Sequence, residues 1–173
     1  IRAMLPVFLK AARQRPDLQA ILAGMSLHRA LYESIMAQEG HRVPIVYDDT
    51  YQVLAHASLA CVTSGTATLE TGLFGVPQLV CYKGGRISYH IARRLIKVKY
   101  ISLVNLILDR PLVPELIQDD FSVDSLLSGL RNLESVASQI RSGYQELRDL
   151  LLKEDPSTRI AEYIHQFLGE EGE

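Results

Sequence analysis

The stretch that decides the fold runs from Ser58 to Tyr82. It reads Ser58-Leu59-Ala60-Cys61-Val62-Thr63, then Ser64-Gly65-Thr66-Ala67-Thr68-Leu69-Glu70. After Thr71-Gly72-Leu73-Phe74 come Gly75-Val76-Pro77 and Gln78-Leu79-Val80-Cys81-Tyr82. The order predicts a strand, a tight small-residue turn, a helix over Thr66–Phe74 and a second strand over Gln78–Tyr82. A turn of small residues opening a helix presents free backbone N–H groups and the positive end of the helix dipole. Such a junction suits a phosphate or diphosphate. Glu70 follows within the helix, a lone carboxylate among small and apolar neighbours. It could accept hydrogen bonds from the two vicinal hydroxyls of a ribose. Turn and acid together describe a nucleotide site.

A plainer reading stands beside that one. Ser and Thr at a helix start are often only caps, worth about 1 kcal/mol. A capping box needs Glu or Gln three residues after the cap. Leu69 holds that place from Thr66, and Ala67 holds it from Ser64, so Glu70 completes no box. It could still be an ordinary first-turn acid favoured by the dipole.

Working outward, apolar spacing alternates between helical and strand-like. Met4–Ala12 reads as a helix, Leu18–Ala23 as a strand and Leu27–Gln38 as a helix closed by Gly40. Val43–Tyr47 reads as a strand, and Asp48-Asp49-Thr50 opens a helix over Tyr51–Ala57. Beyond Tyr82, Gly84-Gly85 precedes a basic helix over Ile87–Ile96. Tyr100–Leu103 reads as a last strand. Asn105–Asp120 reads as loop, with a short helix around Pro114-Glu115-Leu116. Helices follow over Asp124–Leu133, Val136–Leu152 and Thr158–Leu168, with an acidic tail from Gly169. Strands alternating with helices imply βαβ units, right-handed crossovers and a Rossmann-like parallel sheet flanked by helices. The 173 residues suit one domain, an α/β core over 1–123 and carboxy-terminal helices over 124–168.

Composition narrows the function classes. Apolar residues make up 47%, and no run reaches the length of a membrane-spanning helix. The start, Ile1-Arg2-Ala3-Met4-Leu5-Pro6, lacks a signal peptide's apolar region and an initiator Met, so the chain reads as beginning inside a longer protein. Cys61 and Cys81 fall in predicted buried strands and read as free thiols of a reducing compartment. The five histidines show no ligand spacing, so no metal is expected. The net charge of −2 hides an asymmetry. Residues 1–108 carry 12 basic and 6 acidic groups, whereas residues 109–173 carry 6 and 14. Six cations, Lys83, Arg86, Arg93, Arg94, Lys97 and Lys99, crowd one stretch with no acid among them. Such a run attracts phosphates or an anionic membrane, or is simply a solvated helix face. With a slightly acidic chain and no nucleic-acid module, nucleic acid is disfavoured.

Five pieces carry a family resemblance. They are Ser64–Glu70, Gly75-Val76-Pro77, Ala92-Arg93-Arg94-Leu95-Ile96-Lys97, Tyr100-Ile101-Ser102-Leu103-Val104-Asn105 and Val113-Pro114-Glu115-Leu116-Ile117-Gln118. In this order and spacing they resemble the carboxy-terminal half of the lipid-A-disaccharide synthases, two-domain glycosyltransferases of the GT-B fold. The first piece alone marks only UDP-sugar transferases at large. One departure is Val104, where the family usually has Pro. The family's glycine-serine-arginine loop and acceptor-binding domain would lie upstream, so the resemblance implies a fragment that is inactive alone.

The resemblance further implies transfer of an acylated glucosamine from UDP to a lipid monosaccharide phosphate, without metal or other cofactor. The amides of Ser64, Gly65 and Thr66 and the hydroxyls of Ser64, Thr66 and Thr68 would hold the diphosphate. Glu70 would take the ribose, Tyr47 with Asp48 would sit beside uracil, and Asn105 would place the donor sugar or its phosphate. Arg86, Arg93, Arg94 and Lys97 would meet an anionic membrane surface, which places the protein in the cytoplasm, peripheral at the inner membrane. The carboxy-terminal helices are expected to dock on the missing domain or pair two copies. The readings kept beside this one are another UDP-sugar transferase or epimerase, and a non-catalytic nucleotide-binding or oligomerising module.

Overall fold

Helices and short parallel strands alternate along a computed structural model that describes residues 1–63, 65–84 and 99–152. In chain order the elements are α1 (Leu5–Arg13), β1 (Leu22–Gly24), α2 (Arg29–Glu39) and β2 (Ile45–Tyr47). Next come α3 (Thr50–His56), β3 (Ala60–Thr63), α4 (Thr66–Leu73) and β4 (Gln78–Tyr82). The last are α5 (Leu103–Leu108), β5 (Glu115–Ile117) and α6 (Val123–Leu152). The predicted basic helix, with Arg86, Arg93, Arg94 and Lys97, and the predicted helix at 158–168 lie outside the described residues.

Every strand pair is parallel, as the alternating pattern requires. β1 pairs with β2, Ala23 opposite Val46. β4 lies between β3 and β5, with Val80 opposite both Val62 and Glu115. The described strands form two sheets, one of two strands and one of three. Helix α1 spans them. Its Leu5 and Leu9 pack with Tyr32, Ile35 and Met36 beside the smaller sheet. Its Ala11, with Met4 just before the helix, joins Leu79, Val80 and Cys81 of the larger one.

Local chemistry sets several boundaries where the sequence places them. Gly40 closes α2 in the left-handed region at φ 62°. The Asp49 side chain accepts from the Gln52 N–H at 3.1 Å and opens α3. β4 begins and ends at the predicted residues, Gln78 and Tyr82.

Other expectations are corrected. Tyr100–Leu103 is not a strand. Ser102 instead caps α5, its hydroxyl accepting from the Asn105 N–H at 3.2 Å. Glu115–Ile117, expected as loop or helix, is a strand, because the exposed edge of β4 offers it a parallel ladder. The helices expected on either side of Glu134-Ser135 are one helix, α6. Leu126, Leu133, Ile140, Tyr144 and Leu147 continue one buried stripe through the junction, and no Gly or Pro breaks it there. Both cysteines are free, but only Cys81 is buried; Cys61 is exposed on β3.

Asn105, fully buried, ties α5 to β5. Its Nδ2 donates to the Val113 carbonyl at 2.8 Å and the Glu115 carboxylate at 2.9 Å. Its Oδ1 accepts from the Val113 N–H at 2.9 Å. Glu115 also accepts from the N–H groups of Ile101 and Ser102, both at 3.0 Å. One carboxylate thus satisfies donors that no strand ladder takes up. Asn105→Asp replaces two donors with acceptors that face a carbonyl and a carboxylate. It should lower unfolding stability by about 3 kcal/mol, read by denaturant titration. An unchanged midpoint would show that the clamp holds nothing.

Candidate functional site

The junction between β3 and α4 is built by backbone rather than by side-chain caps. Gly65 stands at the helix N-cap with φ 130° and ψ −161°, a region essentially closed to L side chains. A Cβ placed there would meet nothing within 4 Å, so the need for glycine is conformational and not steric. Gly65 and Thr66 are exposed, and among the described residues no side chain caps the helix. The simple capping role open to Thr66 is therefore not what this residue does. Ser64 lies outside the described residues.

Glu70 is half-buried on α4, roughly 6 Å along the helix axis from Thr66. No hydrogen bond or ion pair engages its carboxylate among the described residues. The acid is therefore free to accept from a ligand, close enough to the turn to share that ligand with it.

Thr68 and Asn105 depart from the roles expected of them. Thr68 is fully buried. Its hydroxyl donates to the Gly65 carbonyl at 2.8 Å and accepts from the Leu103 N–H at 3.1 Å. With both capacities used inside the protein, the hydroxyl is not offered to a diphosphate. Asn105 is likewise closed within its clamp and presents nothing to a sugar or phosphate.

Tyr47 ends β2, in the other sheet. Its ring lies under the Arg29 guanidinium, 4.2 Å from the ring centroid, and beside Tyr32. The cation takes one ring face. The buried hydroxyl has no hydrogen-bond partner among the described residues. No hydrogen bond or ring contact described here joins Tyr47 to Gly65, Thr66 or Glu70. Asp48 turns the chain at φ 56° and accepts from the Ser26 N–H at 3.0 Å. Hydrogen bonding from Ser26, and then the Arg29 charge, hold its carboxyl below the ordinary carboxylate range. That stabilisation is complete above the unfolded pKa of about 3.9 and lost as pH falls through the lower folded value.

Three buried or half-buried polar residues carry roles that the sequence alone does not assign them. Gln78 is fully buried, and its Nε2 donates to the Thr68 carbonyl at 2.8 Å and the Tyr144 hydroxyl at 3.0 Å. Tyr144 donates in turn to the Val76 carbonyl at 3.1 Å. Burial pushes its hydroxyl up to about 12. A lone Gln opening an otherwise apolar strand was the available signal for Gln78; Tyr144, 66 positions on, gave none. The third is Glu115, whose three donors come from α5 and the segment before it. Among the described residues, no group of three or more His, Cys, Asp or Glu could hold a metal ion. No described helix is long and apolar enough to cross a membrane.

Comparison with known proteins agrees with this architecture. A family model described as lipid-A-disaccharide synthetase matches residues 1–166. The lipid-A-disaccharide synthase of Geobacter sulfurreducens is 33% identical over 179 residues, covering 99% of this chain and 47% of that protein. That of Acidobacterium capsulatum is 35% identical over 162 residues, covering 90% and 39%. That of Nitrosococcus oceani is 38% identical over 141 residues, covering 77% and 36%. The chain spans less than half the length of these relatives. A match over nearly every residue, on a parallel α/β framework with a glycine-turned helix start, shows that this chain belongs to the lipid-A-disaccharide synthetase family.

Proposed function

We propose that this chain is the donor-binding half of a glycosyltransferase that joins two acylated glucosamines into the disaccharide of lipid A. The observation that carries the reading is the exposed, uncapped Gly65–Thr66 turn with the unengaged Glu70 carboxylate about one helical turn behind it. The relatives' names supply the reaction class. The donor is a UDP-activated acylated glucosamine, and the acceptor is a lipid monosaccharide phosphate.

In this reading the turn's N–H groups and the Thr66 hydroxyl face the diphosphate, and Glu70 accepts from the ribose hydroxyls. The acceptor hydroxyl oxygen forms a bond to the anomeric carbon, while the bond from that carbon to the β-phosphate oxygen breaks. The electron pair leaves on UDP. Negative charge grows on the diphosphate as the bond breaks, so fixed donors there stabilise the transition state more than the ground state. No residue of this chain is assigned the acceptor's proton. The chain alone is expected to bind donor without turning it over.

Glu70→Ala removes two carboxylate–hydroxyl bonds and should weaken UDP affinity by roughly 10- to 100-fold, measured by calorimetric titration. A folded variant that binds UDP like the wild type overturns the ribose assignment. The cations between Lys83 and Lys99 support contact with the anionic face of the inner membrane. The chain should co-sediment with phosphatidylglycerol vesicles at low salt and be released at about 0.5 M salt. Absence of binding at low salt contradicts that part of the reading.

A further inference from the structure

Among the described residues, the Gly65–Thr66 peptide unit is gripped from one side only. Its carbonyl accepts twice from one residue, the Thr68 N–H at 3.1 Å and the Thr68 hydroxyl at 2.8 Å. In a trans peptide the N–H points opposite to the C=O. Pinning the Gly65 carbonyl toward Thr68 therefore aims the Thr66 N–H the other way. The same two bonds polarise the unit and strengthen that N–H as a donor. Gly65 itself supplies neither effect, since its conformation is one that glycine merely permits.

Thr68 is itself anchored at two points, and the second of them is braced in turn by Tyr144. The Leu103 N–H, at the start of α5, donates to its hydroxyl. The Gln78 amide donates to its carbonyl. Tyr144, in the middle of α6, receives the other N–H of Gln78 and donates to Val76. Thr68, Gln78 and Tyr144 are all fully buried. Packing leaves no slack around this chain: a Cβ on Gly72 would lie 3.3 Å from the Tyr144 ring. The Gln78 Oε1 has no partner among the described residues, a cost the fold carries while keeping the amide's two donors in place.

From this we infer that Thr68, backed by Gln78 and Tyr144, is the positioning residue that aims the Thr66 N–H at the donor's diphosphate. The inference rests on the donor-binding reading above and assigns these side chains no ligand contact. It replaces the expectation that the Thr68 hydroxyl touches the diphosphate directly.

The test compares UDP with uridine, which has the nucleoside but no phosphate, by NMR titration of the 173-residue chain. Thr68→Val keeps the side-chain shape and removes the hydroxyl, whereas Thr68→Ser restores it. The expected result is a UDP affinity weakened by about 10-fold in Thr68→Val, uridine affinity unchanged, and Thr68→Ser within about twofold of wild type for both. Tyr144→Phe, which keeps the packing and loses the hydroxyl's bonds to Gln78 and Val76, should show a smaller loss confined to UDP. It carries the test if Thr68→Val does not fold. Equal losses for UDP and uridine would mean a merely structural role and overturn the inference. Unchanged UDP affinity in Thr68→Val, or in Tyr144→Phe where that variant carries the test, would overturn it too. Failure of the underlying reading has a different signature: a folded wild-type chain that does not respond to UDP at all.

Discussion

The structure depends on one strand that has no solvent face. Leu79, Val80 and Cys81 of β4 are fully buried. A parallel strand between two others must be covered on both faces, which is why it reads as an unbroken apolar run. The requirement sets the elements around it. β3 and β5 take its two edges, and Met4, Ala11 of α1 and Leu126 and Leu133 of α6 contribute to its cover. Fixing β3 beside β4 fixes where β3 ends and therefore where Gly65 turns the chain into α4. The candidate site is a consequence of how β4 is buried.

Close packing around that strand has a polar cost, and different residues meet it in different ways. Asn105 makes three side-chain hydrogen bonds and leaves no buried group unsatisfied. Gln78 satisfies two donors and leaves its oxygen without a partner among the described residues. A buried acceptor left in that state costs about 1–3 kcal/mol. The favourable side is the tethering of α4 and α6 to one point beside the turn. Surface ion pairs such as Lys99 with Asp109, both largely exposed, add little by comparison.

The sequence shows its local rules clearly and its long-range ones poorly. The Gly40 stop, the Asp49 cap, the glycine turn at Gly65 and the apolar run of β4 are each encoded within a few residues, and each was legible. β5 was not. Three residues after Pro114 have no strand pattern of their own and become a strand only because the edge of β4 pairs with them. Ser102 lay in a β-rich stretch whose N–H groups go to Glu115, 13 positions away. Thr68 carries the same lesson for the site. The family resemblance implies a ligand hydroxyl at Thr68, but its burial is decided by α5 and α6, which no local reading brings beside it. Glu70, on another side of the same helix, is half-buried and has no hydrogen-bond partner among the described residues.

We propose that the backbone of the Gly65–Thr66 turn receives a diphosphate. The most direct test is the amide spectrum of a ¹⁵N-labelled chain titrated with UDP. The amide signals of Gly65, Thr66 and Ala67 should move together and saturate with one binding curve, with Thr66 shifting furthest. Binding that shifts other amides while these three stay still would contradict it.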